Sequence, residues 1–327
     1  MKTKLTYINR RQFLATGAFA LASLKFGGLG CAAQAKGKGV GYSDSHAHLD
    51  SFQSEELKKV LARMKEKNVS TVMNVSINLL TSAEAIKIAQ ANDGIYAAIG
   101  IHPGEAIPLT AEVKKKLEDL SGQKKVVAFG EVGLMYGNST GSNEEQKQLL
   151  LFQKSLANNL HIPLDIHCSA NAYKDCISIC KGSSGIMHGF TGTTDDLNAW
   201  LDIGYYISIG MMSGVSEEVL RAIPADRIIT ETDSMARENS RWDQLGKSSG
   251  GPSGPPGGGQ GGAPSSGPGG APGGQQGGAP GGTSMQEEPT GPADVVKVAE
   301  KLAQIRGAST EEMGAVATNN LKRVLKI

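Results

Sequence analysis

Two histidines, His46 and His48, lie two residues apart directly after a short run of residues that favour a β-strand. On a strand, residues i and i+2 point to the same face, so the two imidazoles would project side by side. Imidazoles placed in this way are suitable ligands for one metal ion. The pair by itself predicts metal binding but no reaction, so the remaining ligands must come from elsewhere in the chain.

Other residues with metal-binding side chains lie at or just beyond the ends of later apolar runs. They are His102, Glu131, His167, His188 and Asp233. A single histidine at the end of a strand is usually a hydrogen-bonded core residue. Several imidazoles and two carboxylates that converge on one place, however, describe a metal site. The sixth histidine, His161, is expected at a helix end, apart from this group.

Short apolar runs rich in Val, Ile and Ala alternate with amphipathic helical stretches, which predicts strands buried on both faces. The predicted strands are 43–46, 71–75, 96–100, 126–131, 163–167, 185–188, 205–209 and 227–231. Eight strand–helix units over about 250 residues predict a parallel (β/α)8 TIM barrel, whose strands all end at one mouth. A doubly wound open sheet is the alternative, although no Gly-rich phosphate turn follows the first strand.

Three helix starts are predicted from capping boxes, in which a Ser or Thr is followed three residues later by Glu. They are Thr81 with Glu84, Ser142 with Glu145, and Ser309 with Glu312. These starts place helices after the second and fourth strands and at the end of the chain.

Residues 247–283 form a low-complexity segment of Gly, Pro, Ser and Gln. The segment has no strict Gly-X-Y period, and it carries too little apolar surface to fold by itself. We expect a disordered insertion after strand 8 that interrupts a hydrolase domain spanning 36–327. It is either a tolerated flexible loop or a tether that binds a partner or the cell wall.

The first 35 residues have the pattern of a targeting segment. Arg10 and Arg11 are followed by Phe13 and an apolar run to Leu24, which resembles a twin-arginine export signal. Cleavage would follow residues 33–35; a lipid anchor at Cys31 is the alternative. We therefore expect the translocation machinery as a partner, and an exported protein in the periplasm or cell envelope.

Composition limits the partners further. The formal net charge of +1 over 327 residues gives no electrostatic footprint for non-specific binding of nucleic acid, although a metal centre can hold a phosphate without a basic surface.

Beyond Cys31, only Cys168, Cys176 and Cys180 remain, and this odd number without CxxC spacing predicts free thiols. We expect a monomer.

The ordered series of motifs resembles that of the TatD-family metal-dependent hydrolases. The matching motifs are His46-Ala47-His48, Gly100-Ile101-His102-Pro103, Gly130-Glu131-Val132-Gly133-Leu134, Ile166-His167, His188-Gly189-Phe190-Thr191-Gly192 and Glu231-Thr232-Asp233-Ser234. The resemblance implies a (β/α)8 barrel with two divalent ions (Mg²⁺, Mn²⁺ or Zn²⁺) that hydrolyses phosphodiesters, typically as a deoxyribonuclease. DNA or another phosphodiester would be the substrate.

The resemblance also assigns roles to residues. His46, His48 and Asp233 would hold one ion, His167 and His188 the other, and Glu131 would bridge both. His102 would lie near the scissile phosphate. The chemistry agrees, because one carboxylate can bridge two cations, and two cations can clamp the attacking and leaving oxygens. Asp233 could also take the proton of the attacking water.

Three residues depart from the family pattern, two of them on the substrate side. Met135 stands where the family usually has Asp, Ser169 where it often has Arg, and Met235 where Pro is usual. Met135 and Ser169 leave room for one alternative to a nuclease, a related hydrolase that cleaves an ester, amide or phosphotriester bond. The other alternative is a non-catalytic metal-binding surface protein that acts through its Gly/Pro segment, although the complete set of ligands argues against it.

Overall fold

The computed structural model describes residues 41–137, 139–211, 213–236, 240–242 and 290–327. These ranges contain one parallel sheet in which eight strands pair in sequence order. The strands are β1 Tyr42–Ala47, β2 Val69–Val75, β3 Ile95–Ile99, β4 Val126–Leu134, β5 Leu164–Cys168, β6 Gly185–Met187, β7 Tyr206–Ile209 and β8 Ile228–Thr230. All eight predicted strands are present, with ends that differ from the predicted ones by a few residues.

The sheet curls into a nearly closed barrel because the chain after β8 returns to β1. Ala47 and Ser234 form a parallel bridge, and the Asp233 amide donates to the His46 carbonyl at 2.9 Å. The buried Asp44 carboxylate strengthens the junction by accepting from the Thr232 amide at 3.0 Å and from the Thr232 hydroxyl at 2.5 Å. The predicted TIM barrel is therefore confirmed, and the open doubly wound sheet is excluded.

Within the described ranges, nine α-helices alternate with or follow the strands. They are α1 Ser54–Glu66, α2 Leu79–Ala91, α3 Ala111–Ser121, α4 Asn143–Leu160, α5 Tyr173–Cys180, α6 Thr194–Asp202, α7 Glu217–Ala222, α8 Val295–Arg306 and α9 Thr310–Leu325. Their apolar faces form one continuous core with the outer face of the barrel. Across the described part of the chain, none of the helices is both long enough and apolar enough to cross a bilayer.

Two of the three predicted helix starts are confirmed. Ser142 caps α4 and Ser309 caps α9, each in a reciprocal capping box. The prediction at Thr81 is wrong, because the cap is Asn78, three residues earlier, and α2 begins at Leu79. The Asn78 side chain accepts from the amides of Leu80 and Thr81, and Asn is among the strongest N-cap residues. Thr81 is instead the third helical residue of that capping box.

Residues from strands that are not neighbours meet inside the barrel. Met73 of β2, Ala98 of β3 and Ile186 of β6 belong to one buried cluster that also contains Leu321 of α9. Strands so far apart in the sheet can share a cluster only across the interior, so the barrel is a packed core and not a pore.

Cys176 and Cys180 are buried on α5, and together with Cys168 they are free thiols, as predicted. The predicted signal peptide at 1–35, the lipid-anchor alternative at Cys31 and the insertion at 247–283 lie outside the described residues.

A bidentate ion pair joins α1 to the turn before α8. The guanidinium of Arg63 donates to both oxygens of Asp294 at 2.9 and 3.0 Å, and both side chains are largely buried. Burial alone would raise the pKa of Asp294, but Arg63 and Lys297 outweigh it and hold the pKa at about 2. The folded state therefore stabilises the carboxylate form.

Asp294→Asn is expected to lower the free energy of unfolding by about 1–2 kcal/mol at neutral pH. Because the folded pKa lies below the ordinary value of 3.8, this contribution is present above pH 3.8 and is lost as the pH falls through about 2. Urea unfolding of both proteins between about pH 7 and pH 2.5 measures the difference. The difference should shrink towards the acid end, and a difference as large at about pH 2.5 as at about pH 7 would contradict the ion pair as its source. Asp119→Asn, in an exposed pair with Lys115, is the control and should change stability by less than about 0.5 kcal/mol.

Candidate metal centre

His46 and His48 lie side by side at the end of β1, as their spacing predicts. Their Nε2 atoms are 3.3 Å apart, and both side chains are almost completely buried. The ring of His188 stacks on that of His46, with centroids 3.5 Å apart. The C-terminal ends of β1 and β6 therefore bring three imidazoles into contact at the mouth of the barrel.

The outer nitrogens of the first two rings face fixed acceptors. His46 Nδ1 lies 2.7 Å from Asp165 Oδ2, and His48 Nδ1 lies 2.7 Å from the carbonyl oxygen of Val75. An acceptor opposite Nδ1 keeps the ring proton on that atom, which leaves the Nε2 lone pair free. Once the second ring proton has left, both histidines therefore present the nitrogen that binds a metal.

Glu131, at the centre of the site, turns its two oxygens to different groups of histidines. Oε2 lies 3.5 Å from His46 Nε2 and 3.7 Å from His48 Nε2. Oε1 lies 2.7 Å from His167 Nδ1 and 3.7 Å from His188 Nε2. The side chain is almost fully buried. Burial would raise the pKa of Glu131, but His102 and His46 overcome it, and the pKa falls well below the usual value.

Asp233 closes the site on the side of β8. Its Oδ1 lies 3.3 Å from His48 Nε2 and 3.8 Å from His46 Nε2. Its side chain is 47% exposed, whereas those of His46 and His48 are at most 3% exposed. The bond to His48 outweighs desolvation and lowers the pKa of Asp233 to about 2, so the carboxylate is ionised at neutral pH.

His188 is held by a second buried carboxylate. Its Nδ1 lies 3.0 Å from Glu231 Oε2, and the other Glu231 oxygen accepts from the Gly189 amide at 2.8 Å. Burial would lower the pKa of His188, but the Glu231 charge raises it to about 9. As with His46, a carboxylate on Nδ1 directs Nε2 towards Glu131.

His102 differs from His46 and His48 in the ring nitrogen that carries the proton of the neutral ring. Its Nδ1 accepts from the Gly104 amide at 3.0 Å, so the neutral ring must carry its proton on Nε2. That N–H faces Glu131 Oε1 at 3.5 Å. Burial lowers the pKa of His102 to about 3, which keeps the ring neutral. His102 is thus a hydrogen-bond donor at the edge of the site.

The donor set fits a divalent cation. In the neutral rings the Nε2 atoms of His46 and His48 are acceptors, as are the carboxylate oxygens of Glu131 and Asp233, and the five measured distances among them lie between 3.3 and 3.8 Å. Acceptors at such separations repel one another unless positive charge lies among them. Burial would lower the pKa of His46, yet Asp165 and Glu131 raise it well above the usual value, so the site favours positive charge. Three sets of potential ligands lie close enough to hold an ion: His46, His188 and Asp233; His46, His48 and Glu131; and His102, Glu131 and His167.

Every residue predicted for the site is therefore at the barrel mouth, and His161 lies apart at the end of α4. The sequence interpretation missed the two carboxylates that hold His46 and His188, namely Asp165 and Glu231. Asp165 could have been recognised from the sequence, because it is an acidic residue within an otherwise apolar predicted strand. Glu231 belongs to the Glu231-Thr232-Asp233-Ser234 motif, but the motif alone does not indicate its contact with His188.

Two of the departures from the family pattern lie beside the site. The terminal methyl of Met135 packs next to Gly104, close to His102, and the Met135 backbone is held by both ends of the Gln146 amide. Ser169 links two loops, since its hydroxyl accepts from the Tyr136 amide and donates to Asn171 Oδ1. The wall beside His102 therefore presents the thioether of Met135, whereas the Ser169 hydroxyl is engaged between the loops that follow β4 and β5.

A parallel barrel with buried histidines and carboxylates at the C-terminal ends of its strands defines a metal-dependent hydrolase. Residues 43–326 match the family model described as TatD related DNase, and the chain belongs to that family.

Curated relatives agree with this assignment. The chain is 34% identical over 201 residues to the uncharacterized metal-dependent hydrolase YabD of Bacillus subtilis. It is 32% identical over 206 residues to the 3'-5' ssDNA/RNA exonuclease TatD of Pantoea ananatis. Each alignment covers 58% of this chain and 78% of the relative.

Solved structures show the same fold. YjjV, a TatD homolog from Escherichia coli, superposes with a TM-score of 0.65 at 20% identity. A TatD family hydrolase from Entamoeba histolytica gives 0.66 at 19% identity. Both comparisons cover 88% of this chain and 98% of the other.

Proposed function

We propose that this hydrolase cleaves phosphodiester bonds of DNA, or of another nucleic acid, with two divalent ions at the barrel mouth. The observation that carries the proposal is the position of Glu131. Its two oxygens face two separate groups of histidines, as a carboxylate that bridges two cations must. The name of the relative from Pantoea ananatis, a single-strand exonuclease, supports nucleic acid as the substrate class.

The ligands divide between the two ends of Glu131. His46, His48 and Asp233 would hold one ion beside Oε2, and His167 and His188 would hold the other beside Oε1. Mg²⁺, Mn²⁺ and Zn²⁺ are the candidate ions. When bound, such ions polarise a phosphoryl oxygen and make water more acidic.

The side chains supply the remaining functions. His102 would donate its Nε2–H to a phosphate oxygen, since its other nitrogen is already occupied by the Gly104 amide. Asp233 is ionised and is the most exposed of the proposed ligands, so it is available to take a proton from the attacking water. Asp165 and Glu231 keep His46 and His188 in the orientation that binding requires.

A second candidate is hydrolysis of a different bond, such as an ester, amide or phosphotriester. It is favoured by the buried methyl of Met135 near His102 and by the hydroxyl of Ser169, where the family often has a cation. An uncharged, partly apolar wall would suit a substrate with fewer negative charges than DNA.

We also propose that the chain is exported through the twin-arginine machinery to the periplasm or envelope, either cleaved after residue 35 or lipidated at Cys31. A monomer is proposed as the active form. Fractionation of cells that express the wild type and an Arg10→Lys/Arg11→Lys variant tests export, since only the wild type should reach the envelope.

The purified protein is expected to degrade single-stranded DNA only with a divalent ion, and chelation should abolish the activity reversibly. The assay compares single-stranded DNA, a chromogenic phosphodiester, a phosphotriester, an ester and an amide in Mg²⁺, Mn²⁺ and Zn²⁺. Cleavage of the ester, amide or phosphotriester without cleavage of DNA would select the second candidate. Metal binding without hydrolysis of any of these substrates would instead support the remaining alternative, a non-catalytic metal-binding protein.

A further inference from the structure

Trp242 packs against one of the proposed metal ligands from outside the ligand set. Its ring meets that of His48 edge to face, with centroids 5.1 Å apart and planes at 75°. The side chain is almost completely buried. The proposed function gives this indole no part in binding the metal or in transferring a proton, so its contact with His48 must have a different role.

The indole is anchored by a buried carboxylate. Trp242 Nε1 donates to Asp50 Oδ2 at 2.6 Å, and Asp50 lies in the short 3₁₀ turn Leu49–Ser51 that follows His48. Asp50 is fully buried, and its other oxygen, Oδ1, has no hydrogen-bond partner among the described residues. A charge-assisted bond to a buried carboxylate is among the stronger hydrogen bonds in proteins, so the indole has a well-defined place.

The chain around Trp242 is fastened to the same turn. The Ala236 amide donates to Ser51 Oγ at 2.9 Å, and the Ser240 hydroxyl donates to the Ser51 carbonyl at 3.4 Å. Arg241 pairs with Glu84 of α2 at 2.7 Å. The described residues 236 and 240–242 are therefore tied to the backbone that leaves His48.

The geometry explains what the indole adds to the site. The bond from His48 Nδ1 to Val75 fixes the ring proton and holds one edge of the ring, but the tilt of the ring about that bond is set by its packing neighbours. A rigid aromatic ring beside His48 removes that freedom. We infer that Trp242 is a positioning residue for His48, and that Asp50 holds the indole in place; the inference rests on the proposed metal site.

Fluorescence offers a direct test, because Trp200 and Trp242 are the two tryptophans of the chain. Trp200 is buried in the core, and its Nε1 has no hydrogen-bond partner among the described residues, so Trp200→Phe removes the second emitter without breaking a hydrogen bond there, and its melting temperature confirms that it is folded. In that background, Mn²⁺ is expected to quench the emission of Trp242 with the same midpoint as Mn²⁺ binding measured by calorimetry. Emission that is unchanged while calorimetry shows saturation would overturn the inference.

Binding by variants supplies the second readout. Trp242→Phe keeps a ring but loses the donor, and it should weaken Mn²⁺ binding about tenfold, as expected for the loss of a partner outside the ligand set. Asp50→Asn retains an acceptor oxygen for the indole and should bind nearly as the wild type does, whereas Asp50→Leu should match Trp242→Phe. Melting temperatures confirm that each variant is folded. Wild-type affinity in a folded Trp242→Phe variant would contradict the inference.

His48→Ala separates this inference from the proposed metal site. If the wild type binds no Mn²⁺, or if His48→Ala binds it unchanged, the proposed site itself is wrong. If His48→Ala loses the ion while Trp242→Phe retains wild-type affinity, only the role of Trp242 is wrong.

Discussion

Glu131→Gln is expected to lower the rate of hydrolysis by more than about a hundredfold. This loss is larger than the loss expected when a residue that only supports a metal ligand is removed. The wild-type carboxylate presents one oxygen towards His46 and His48 and the other towards His167 and His188. Glutamine keeps the size of the side chain but replaces one acceptor by an NH₂ group, which cannot bind a cation. The substitution therefore removes one of the two faces of the proposed bridge.

Metal content should change together with the rate. We expect two ions per wild-type chain and at most one tightly bound ion in the variant, measured by calorimetry and by elemental analysis after dialysis. Glu118→Gln on the outside of α3 is the matched control and should leave both quantities unchanged. Two tightly bound ions in a folded Glu131→Gln protein would show that this carboxylate is no bridge.

The positions of the candidate ligands could be predicted from sequence because the barrel imposes a simple rule. Each of them follows an apolar run, and parallel strands in a barrel all end at one mouth. Once eight such runs were recognised, His102 and Glu131 had to lie near His46 without any knowledge of their contacts. The placement of His46 and His48 on one face follows equally from the two-residue period of a strand, whereas the 3.3 Å between their Nε2 atoms depends on the rotamers of the two rings.

The partners that orient these ligands could not be predicted in the same way. Asp165 reaches His46 from β5, and Trp242 reaches Asp50 across 192 positions of the chain. Contacts of this kind depend on the register of the strands and on how a loop packs, and neither leaves a local pattern. The Val75 carbonyl that holds His48 carries no side-chain signature at all.

The second glycine of the Gly130-Glu131-Val132-Gly133 motif is required by the close approach of two strands. Its φ is +152°, and a Cβ atom at this position would lie 1.8 Å from the carbonyl oxygen of His167. Only glycine lets β4 approach β5 so closely. The Gly-Glu-Val-Gly sequence thus brings Glu131 and His167 together through the backbone.

Asp233→Asn tests the proposed proton acceptor and is expected to lower kcat by about 10²- to 10⁴-fold at saturating metal. Asparagine is the suitable replacement because Asp233 has a φ of +52°, a left-handed conformation that Asn tolerates better than Ala does. The backbone bond from residue 233 to His46 should therefore persist, and the barrel should remain closed.

The two roles of Asp233 predict different responses to metal concentration. If Asp233 acted only as a ligand, enough Mn²⁺ would restore the wild-type rate, because occupancy can be recovered by mass action. A proton acceptor cannot be replaced in this way, since the neutral amide takes no proton at any metal concentration. We therefore expect kcat to stay low when calorimetry shows the site filled, while Asp202→Asn at the exposed end of α6 behaves as the wild type does. Full recovery of kcat with added metal would leave Asp233 as a ligand and move proton transfer to another group.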